Sequence, residues 1–324
     1  MAQTKIILIT EPSGYSPKAL VRYRKMGPVY FLPGLAAKER ARVFKTAEIL
    51  VVRLAHRIDE ALLAQMPALK IVASPTTGLN HIDLAALKRR RIGLISLRGR
   101  TGFLKRITST AEETLGLLLA LVRKLPWAFD DVKRGEWNRD RWKGHQLSGK
   151  TVGILGYGRL GKIFGRYAKA LGCRVIAYDP YVSRGVMRRR GVTKAGMGEL
   201  FRRSDVVSIH ALLTSETEDL VQECHLRMMK PTAYLINTAR AEIIAAGALE
   251  KVLAEHRIAG AAVDVMRDER QDGRHLVSKG LHRLAKSHHN VLIAPHIGGA
   301  TEEAMHATEE FLADLVARAA SAKI

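Results

Sequence analysis

Cysteine is scarce in this chain of 324 residues, and long apolar runs are missing. The two cysteines, Cys173 and Cys224, are far apart in the sequence and lie in apolar settings, which disfavours a disulfide framework and a structural zinc site. The longest apolar run, 115–122, is too short to cross a bilayer. The N-terminal apolar run stops at Glu11 and Pro12, too early for a signal peptide. We therefore expect a cytoplasmic protein with no membrane segment and no bound metal.

Acidic residues are also few, since 31 Asp and Glu stand against 53 Lys and Arg and give a net charge of +22. Such an excess raises nucleic acid as a partner. However, the basic residues form short scattered clusters, such as 88–91 and 188–190, without interleaved aromatic residues or the spacing of a zinc finger or RNA-binding motif. We interpret the charge as a solvated surface that also attracts anionic substrates, and nucleic acid is not expected as a partner.

The length and the 47% of hydrophobic residues fit two compact domains. Short β-rich runs alternate with helical patterns over the first hundred residues and again from Lys150, which predicts α/β domains with doubly wound parallel sheets. The predicted strands are 6–9, 49–52, 71–73, 94–96, 151–155, 174–178, 206–210, 233–236, 259–263 and 291–293. The predicted helices include 17–26, 60–65, 82–90, 109–125 and 302–320.

The helix predicted at 109–125 separates the two alternating regions. Its first residues, Ser109-Thr110-Ala111-Glu112, resemble a capping box, and Pro126 is expected to end it. Apolar residues nearly encircle this helix, which is typical of burial between domains or against another subunit. The last helix is expected to pack back on the first domain. The predicted domains are therefore a discontinuous one, 1–105 with 299–324, and an inserted one, 106–298.

A glycine-rich loop, Gly156-Tyr157-Gly158-Arg159-Leu160-Gly161, follows a predicted strand and opens a helix. Gly156 permits a tight turn, Gly158 lets the backbone approach a pyrophosphate, and Gly161 lets the helix pack closely on the strand. The motif alone is weak, but Asp179 ends the next strand, where dinucleotide-binding domains carry a ribose-binding carboxylate. A carboxylate there can accept hydrogen bonds from both ribose hydroxyls and repels a 2′-phosphate. We therefore expect NAD as the cofactor, in preference to NADP. The alternative is a glycine-rich turn with an incidental acid.

Arg240, Glu269 and His296 each follow a later predicted strand, at the edge where parallel sheets bind their ligands. A guanidinium can grip a carboxylate and polarise an adjacent carbonyl. A histidine can pass a proton, and an ionised carboxylate beside the ring favours its protonated form. Together with a dinucleotide, this set is suited to hydride transfer. Each residue also has a structural alternative: Arg240 as a surface cation, Glu269 as a solvated acid in a charged run, and His296 as a loop histidine.

The chain resembles the D-isomer-specific 2-hydroxyacid dehydrogenase family, which includes phosphoglycerate dehydrogenases and glyoxylate or hydroxypyruvate reductases. The resemblance covers nearly the whole length and rests on the glycine loop with the strand before it, on Asn237-Thr238-Ala239-Arg240, on Gly260-Ala261-Ala262-Val263-Asp264-Val265, and on Pro295-His296-Ile297-Gly298-Gly299-Ala300-Thr301. It implies a Rossmann NAD-binding domain inserted in a discontinuous flavodoxin-like substrate domain. It also implies interconversion of a small D-2-hydroxy acid and its 2-oxo acid in the cleft between the domains, and a homodimer built on the NAD-binding domains.

The resemblance also implies roles for individual residues. Arg240 would bind the substrate, Glu269 would partner the histidine, and His296 would donate and accept the proton. The implied cofactor-binding residues are Gly156, Gly158, Arg159, Leu160, Gly161, Asp179, His210, Ala211, Thr238, Ala239, Asp264, Gly298 and Gly299. The implied substrate-binding residues of the first domain are Thr77, Gly78 and Leu79, through backbone N–H groups, and Arg53. Two alternatives remain: the N–H groups could instead cap the helix that starts at Ile82, and Arg53 could be a plain surface arginine.

The chain departs from the family pattern after Glu269. Arg270 stands where proline is common, and the segment 270–290 is longer than usual, so the placement of Glu269 is less certain than that of the other two residues. The histidines of this segment lie in a polar, basic stretch and are interpreted as surface residues; they are His275, His282, His288 and His289.

The identity of the substrate stays open. Ser74 and Pro75 supply no cation beside the substrate loop, which disfavours a phosphorylated substrate, whereas Arg53 and the general basicity favour a phosphoglycerate dehydrogenase. The chain ends soon after its last predicted helix, so we expect no C-terminal regulatory extension. A further alternative is a non-catalytic, NADH-sensing binding protein of the corepressor type, consistent with the charge of +22. Intact Arg240, Glu269 and His296 argue against it.

Overall fold

The computed structural model describes residues 4–267, 269, 279–287 and 290–321. They divide into two compact units. The first unit contains residues 4–107 and 300–321, and the second contains 108–267, 269, 279–287 and 290–299. Within these ranges no helix is long and apolar enough to cross a membrane. Arg270, His275, His288 and His289, which the sequence singled out, lie outside the described residues.

The first unit is built on a five-stranded parallel sheet with the order β2-β1-β3-β4-β5. Its strands are β1 (Ile7–Ile9), β2 (Val29–Phe31), β3 (Ile49–Val51), β4 (Ile71–Ser74) and β5 (Gly93–Ser96). Leu8 and Leu50, which lie opposite each other, belong to one apolar cluster, whereas Ile7 and Ile49 belong to another. Because side chains alternate between the two faces of a strand, the sheet is covered on both faces. The order is that of a flavodoxin-like fold, as predicted.

Helices α1 (Pro17–Arg24), α2 (Ala37–Thr46), α3 (Glu60–Ala64), α4 (Leu84–Arg89) and α5 (Thr101–Leu104) belong to the first unit. The sequence analysis did not predict α2 or β2. Helix α2 has Ala36 as its N-cap and therefore no capping side chain, and β2 is a half-buried strand of three residues. Both elements lack the local signals on which sequence-based prediction depends.

The second unit is built on a seven-stranded parallel sheet with the order β12-β11-β10-β9-β6-β7-β8. Its strands are β6 (Thr151–Leu155), β7 (Arg174–Tyr178), β8 (Thr193–Lys194), β9 (Val206–Ile209), β10 (Tyr234–Asn237), β11 (Gly260–Val263) and β12 (Val291–Ile293). The strand order reverses between β6 and β9. Open α/β sheets bind dinucleotides at this kind of switch point, so the Rossmann prediction is confirmed.

The helices of the second unit are α6 (Ser109–Val122), α7 (Leu125–Lys133), α8 (Arg159–Ala170), α9 (Arg184–Arg189), α10 (Met197–Arg203), α11 (Glu223–Arg227), α12 (Ala248–Ala254) and α13 (Lys279–Ser287). The helix predicted at 109–125 is therefore confirmed over 109–122, but its predicted end is wrong. Helix α6 ends at Val122, Lys124 takes a left-handed conformation with φ of 55°, and Pro126 lies in the first turn of α7. Proline needs no N–H acceptor in a first turn, so Pro126 begins a helix instead of ending one.

The capping box predicted at the start of α6 is also absent. The N-cap is Thr108, not Ser109, and it makes no side-chain capping bond; its hydroxyl donates instead to the Glu112 carboxylate. The apolar side of α6 contributes Leu118 and Leu121 to the same core cluster as Phe164 of α8. The helix is therefore held to the second unit by its buried face.

The stretch interpreted as polar and basic contains α13. Leu281 and Leu284 of this helix are buried in the core of the second unit, and His282 is half-buried. Basic residues separate the two leucines along the sequence, so the stretch has a polar, basic composition although its leucines lie on one side of the helix. His282 was interpreted from the sequence as a surface residue, whereas the structure shows that it is half-buried.

The last helix, α14 (Glu302–Ser321), belongs to the first unit. Its fully buried Leu312, Ala313 and Val316 share an apolar cluster with β1, β3 and β4. Phe311 stacks on Phe103, with ring centroids 4.0 Å apart. The burial of these side chains explains why a helix so far along the sequence returns to the first sheet.

Candidate active site

The glycine loop joins β6 to α8 at the switch point of the second sheet. Gly156 has a φ of +91°, and a Cβ there would lie 2.5 Å from the backbone nitrogen of Ala211. A Cβ on Gly161 would lie 2.2 Å from the carbonyl oxygen of Gly156. Contacts this short leave no room for a side chain, so glycine is required at both positions. They bring the turn close to the end of β9.

Gly158 is different, because nothing lies within 4 Å of the position that its Cβ would occupy. Gly158 is the N-cap of α8 and provides no capping side chain. The first N–H groups of a helix have no acceptor within the helix, and its positive end favours anions. Leu160 packs against the core and burial lowers the pKa of Arg159, so both are part of a closely packed turn. Open space before a helix start suits the pyrophosphate of a dinucleotide.

Asp179 ends β7 beside this loop. One carboxylate oxygen accepts the backbone N–H of Tyr157 at 2.9 Å, and the other accepts those of Tyr181 and Val182 at 2.9 and 3.2 Å. A carboxylate has about four acceptor positions, so roughly one remains for a ligand hydroxyl. Asp179 therefore fixes the two loops that flank it, a role that the sequence analysis did not foresee.

His210 and Ala211 follow β9. The His210 ring lies 2.9 Å from the Ser208 hydroxyl and 5.2 Å from the centre of the Phe164 ring. Burial lowers the pKa of His210 to about 3, which keeps the ring neutral at pH 7. His210 therefore lines the switch point as an uncharged packing residue.

The turn after β10 carries Thr238, Ala239 and Arg240. The buried Asn237 side chain accepts the N–H of Ala239 and donates to the carbonyl of Arg240, both at 3.0 Å. The Thr238 hydroxyl lies 2.8 Å from the hydroxyl of Thr114 on α6. These bonds fix the backbone from which the Arg240 side chain extends.

The Arg240 guanidinium is partly buried and donates to the carbonyl of Ala239 at 2.7 Å. Burial lowers the pKa of Arg240, whereas the negative charges of Glu269, Glu242 and Asp264 raise it. An arginine stays charged under such conditions. Arg240 is thus a cation held among carboxylates and suited to bind an anion, and not a free surface residue.

Glu269 and His296 form a hydrogen-bonded pair, with 2.5 Å between Oε2 and Nδ1. The other oxygen of Glu269 accepts the backbone N–H of Met266 at 2.7 Å. A carboxylate that accepts from Nδ1 leaves Nε2 for proton exchange. The His296 backbone has a φ of 56°, a left-handed conformation that is uncommon outside glycine and often marks functional sites.

Asp264 ends β11 and is almost fully buried, with 1% of its surface exposed. Its carboxylate accepts the backbone N–H groups of Ile297 and Gly298 at 2.7 and 2.8 Å, next to His296. A Cβ on Gly298 would lie 2.5 Å from a Glu113 oxygen, so a side chain there would require Glu113 to move. Around Gly299, by contrast, the space is open. Asp264 therefore fixes the loop that carries the histidine.

The structure thus brings Arg240, Glu269, His296 and Asp264 together at the carboxyl ends of β10, β11 and β12. The sequence analysis missed Glu113, which faces Asp264 from α6. No local signal distinguished it, because Glu112 beside it in the same polar first part of α6 is exposed.

In the first unit, Thr77, Gly78 and Leu79 follow β4. Their backbone N–H groups make no hydrogen bond to any of the described residues. The carbonyl of Gly78 accepts the Thr76 hydroxyl at 2.8 Å, which fixes the loop. Helix α4 is capped by the side chain of Asp83, so these N–H groups do not cap it. Adjacent N–H donors without acceptors suit an anionic group.

Arg53 follows β3 in the same unit. Its guanidinium pairs with Glu309 of α14, donates to the carbonyl of Ser13 at 2.9 Å and lies over the Tyr15 ring at 5.0 Å. The Arg53 side chain is 17% exposed and that of Glu309 is 1% exposed. Arg53 is therefore not a plain surface arginine; it is engaged in a buried ion pair.

Within the described ranges, no three His, Cys, Asp or Glu side chains are placed to hold a metal ion together. Cys173 is buried and Cys224 is exposed, and both are free thiols. The exposure of Cys224 differs from the apolar setting inferred from its sequence neighbours.

Comparisons with known proteins show the family. The chain is 32% identical to a D-3-phosphoglycerate dehydrogenase of Methanocaldococcus jannaschii over 311 residues, which are 96% of this chain and 56% of that protein. It is 37% identical to a glyoxylate reductase of Aeropyrum pernix over 281 residues, which are 83% of this chain and 80% of that protein. The chain therefore spans about half the length of the first relative.

Among solved structures, a D-lactate dehydrogenase from Aquifex aeolicus complexed with NAD and lactic acid superposes with a TM-score of 0.81. It is 26% identical to this chain, and the match covers 96% of this chain and 94% of that one. The family model for the D-isomer specific 2-hydroxyacid dehydrogenase NAD binding domain matches residues 115–298. The chain belongs to the D-isomer specific 2-hydroxyacid dehydrogenase family.

Proposed function

We propose that this chain is an NAD-dependent dehydrogenase that interconverts a small D-2-hydroxy acid and its 2-oxo acid. The observation that carries the proposal is the Glu269–His296 pair, which shares the end of one sheet with the Arg240 cation. The glycine loop of the same unit supplies a place for a dinucleotide. The relatives described above are named as dehydrogenases and reductases of 2-hydroxy and 2-oxo acids, which supports the proposal.

Each residue has a role that its surroundings support. When bound, NAD supplies the hydride acceptor, and NADH the hydride donor. Arg240 binds the carboxylate of the substrate and polarises the neighbouring carbonyl through paired N–H donors. His296 gives a proton from Nε2 to the alkoxide oxygen in reduction and takes it back in oxidation. Glu269 orients the ring through its hydrogen bond to Nδ1.

NAD is the proposed coenzyme, in preference to NADP. The Asp179 carboxylate is fixed by three backbone N–H groups at the edge of the dinucleotide loop. A negative charge in that place repels a 2′-phosphate, and Pro180 brings no cation to offset it. The remaining acceptor position of the carboxylate suits a ribose hydroxyl.

The proposed substrate is unphosphorylated. Thr77, Gly78 and Leu79 offer backbone N–H groups that suit a carboxylate, and Ser74 and Pro75 add no positive charge. In the sequence, Arg53 was an argument for a phosphorylated substrate. In the structure, its guanidinium is already paired with the Glu309 carboxylate. A buried guanidinium paired in this way has little capacity for a phosphate.

The test is NADH oxidation by the purified protein with a panel of 2-oxo acids. The panel contains glyoxylate, pyruvate, hydroxypyruvate, phosphohydroxypyruvate and bulkier 2-oxo acids. We expect turnover of one or more small unphosphorylated members and slower turnover of phosphohydroxypyruvate. No turnover of any member, together with salt-sensitive DNA binding, would instead identify an NADH-sensing binding protein.

We also propose a homodimer formed by the second units. Helix α7 and the residues after it expose apolar side chains, namely Phe129 at 60%, Val132 at 52% and Trp137 at 88%. Several large apolar residues exposed along one segment are typical of a protein interface. The matched part of the chain in the family model, 115–298, includes this segment.

A further inference from the structure

Glu113 of α6 carries a carboxyl group that lacks the partners a buried acid needs. Both of its carboxyl oxygens are buried, and neither has a hydrogen-bond donor in the part of the chain that the structure describes. A Cβ on Gly298 would lie 2.5 Å from one Glu113 oxygen and 3.1 Å from an oxygen of Asp264. The two carboxyl groups therefore converge on the backbone of Gly298.

The two acids of this pair have different surroundings. Asp264 accepts two backbone N–H groups, from Ile297 and Gly298, which stabilise a negative charge on it. Glu113 has no such donor, and burial and the charge of Asp264 raise the pKa of Glu113 to about 8. Glu113 is therefore mostly protonated at neutral pH. A protonated carboxyl has one O–H donor, and Asp264 is the acceptor that faces it.

The charges around the pair are consistent with this assignment. Among the described residues, the ionisable group that acts on Glu113 is Asp264. The charges that act on Arg240 are those of Glu269, Glu242 and Asp264, and Glu113 is not among them. The neighbours of Glu113 on α6 that face the same site are Thr110 and Thr114, which do not titrate. Within the described part of the chain, Glu113 therefore has no cation that would favour its ionised form.

We propose that Glu113 is a positioning residue of the cofactor site, whose O–H donates to Asp264 and holds that carboxylate, and with it the backbone of Ile297 and Gly298, in the conformation that binds NAD. The inference rests on the proposed function and on the resemblance that implies Asp264 to be a cofactor-binding residue. Through the bonds from Ile297 and Gly298 to Asp264, the same contact holds the loop next to His296. Loss of the proton places two negative charges at Gly298, and their repulsion separates α6 from this loop.

The experiment measures the dissociation constant of NADH, without any 2-oxo acid, from about pH 6 to about pH 10. The proteins are the wild type, Glu113→Gln, Glu113→Leu and the control Glu112→Gln. A glutamine side chain donates as the protonated acid does but does not titrate, and leucine has a similar size and no donor. Glu112 is the exposed neighbour on α6 whose carboxylate accepts the Thr108 hydroxyl.

We expect wild-type affinity to fall roughly tenfold as the pH rises above about 8. Glu113→Gln is expected to bind NADH like the wild type at pH 7 and to keep that affinity at high pH. Glu113→Leu is expected to bind roughly tenfold more weakly at every pH, and Glu112→Gln to follow the wild type. In turnover assays, Glu113→Leu should raise the KM for NADH more than it lowers kcat.

Parallel pH profiles for the wild type and Glu113→Gln would overturn the proposal. So would unchanged NADH affinity in Glu113→Leu, including the case in which its melting temperature falls, because Glu113 would then act in packing alone. The result is separable from the proposed function, since NADH binding is measured in the absence of substrate. A protein that turns over no 2-oxo acid but shows the expected profiles would refute the function and leave the role of Glu113 in place.

Discussion

At the scale of single residues, the histidine is the group most directly tied to chemistry. Because His296 Nδ1 is engaged by Glu269, Nε2 is the nitrogen available for proton transfer. We predict that His296→Asn lowers kcat by roughly 10²- to 10⁴-fold and leaves the dissociation constant of NADH within about twofold. Stopped-flow turnover and NADH titration measure the two effects. His282→Asn, on α13, is the matched control, and near-normal kcat in His296→Asn would remove His296 from the mechanism.

Arg240 is distinguished from an ordinary cation by the shape of its guanidinium. Lysine keeps the charge but cannot make the paired contact with a carboxylate. We predict that Arg240→Lys lowers kcat/KM for the 2-oxo acid by roughly 10- to 100-fold, mainly through KM. Steady-state kinetics with Arg257→Lys, a change of an exposed arginine, provides the comparison. Equal losses in the two variants would contradict the anion-binding role.

The proton on Glu113 also makes stability depend on pH. Its pKa rises from 4.5 to about 8 in the folded protein, so the folded state holds the proton more tightly than the unfolded chain does. The stabilisation is therefore complete below about pH 4.5 and is lost progressively as the pH rises to about 8. Urea unfolding over this range should show a smaller fall in the free energy of unfolding for Glu113→Gln than for the wild type. If the free energy of unfolding depends on pH identically in the two proteins, Glu113 does not hold a proton in the folded state.

At the scale of elements, Asp179 connects the loop after β6 to the loop after β7. Asparagine keeps an acceptor oxygen for the backbone N–H groups but removes the charge. We predict that Asp179→Asn lowers the preference for NAD over NADP by roughly tenfold, whereas Asp179→Ala also lowers stability because three N–H groups lose their acceptor. The ratio of kcat/KM for the two coenzymes and thermal unfolding measure these effects. An unchanged ratio in both variants would exclude Asp179 from coenzyme selection.

The ion pair between Arg53 and Glu309 joins α14 to the end of β3. Glu309 is 1% exposed, so Glu309→Gln leaves the Arg53 charge without its buried partner. We predict a loss of about 3 kcal/mol in the free energy of unfolding, measured by urea denaturation. The neighbouring change Glu310→Gln removes a more exposed ion pair with Arg22, and its cost should stay below about 1 kcal/mol. Equal costs would mean that the Arg53 pair does not hold α14.

At the scale of the whole molecule, the open question is assembly. If α7 forms an interface between second units, light scattering should give twice the chain mass of 35.8 kDa. Phe129→Glu combined with Trp137→Glu should give the single-chain mass, because charges are costly inside an interface. Val21→Glu, at an apolar residue of the first unit that is 51% exposed, is the control. A mass unaffected by the α7 changes would contradict this interface.

The sequence by itself determined the fold class and the dinucleotide loop, and it supplied the candidates for the residues that carry the chemistry. Gly156, Gly161 and His296 belong to short motifs whose spacing reflects local backbone requirements, and such requirements are readable from neighbours along the chain. Most strands were likewise predictable, because buried parallel strands are continuous apolar runs, whereas the half-buried β2 and the two-residue β8 were not. Pro126 was predicted wrongly, since proline can either end a helix or occupy the first turn of the next one.

Only the tertiary structure decided which side chains pair across long sequence separations. Arg53 meets Glu309, Glu113 meets Asp264, and Asp179 accepts N–H groups from the loops on either side of it. Each contact depends on how helices and strands pack, and no local pattern encodes it. Motifs in the sequence thus identified the candidate functional residues. Packing determined which partner each side chain has, which charge it carries and which hydrogen-bond positions remain for a ligand.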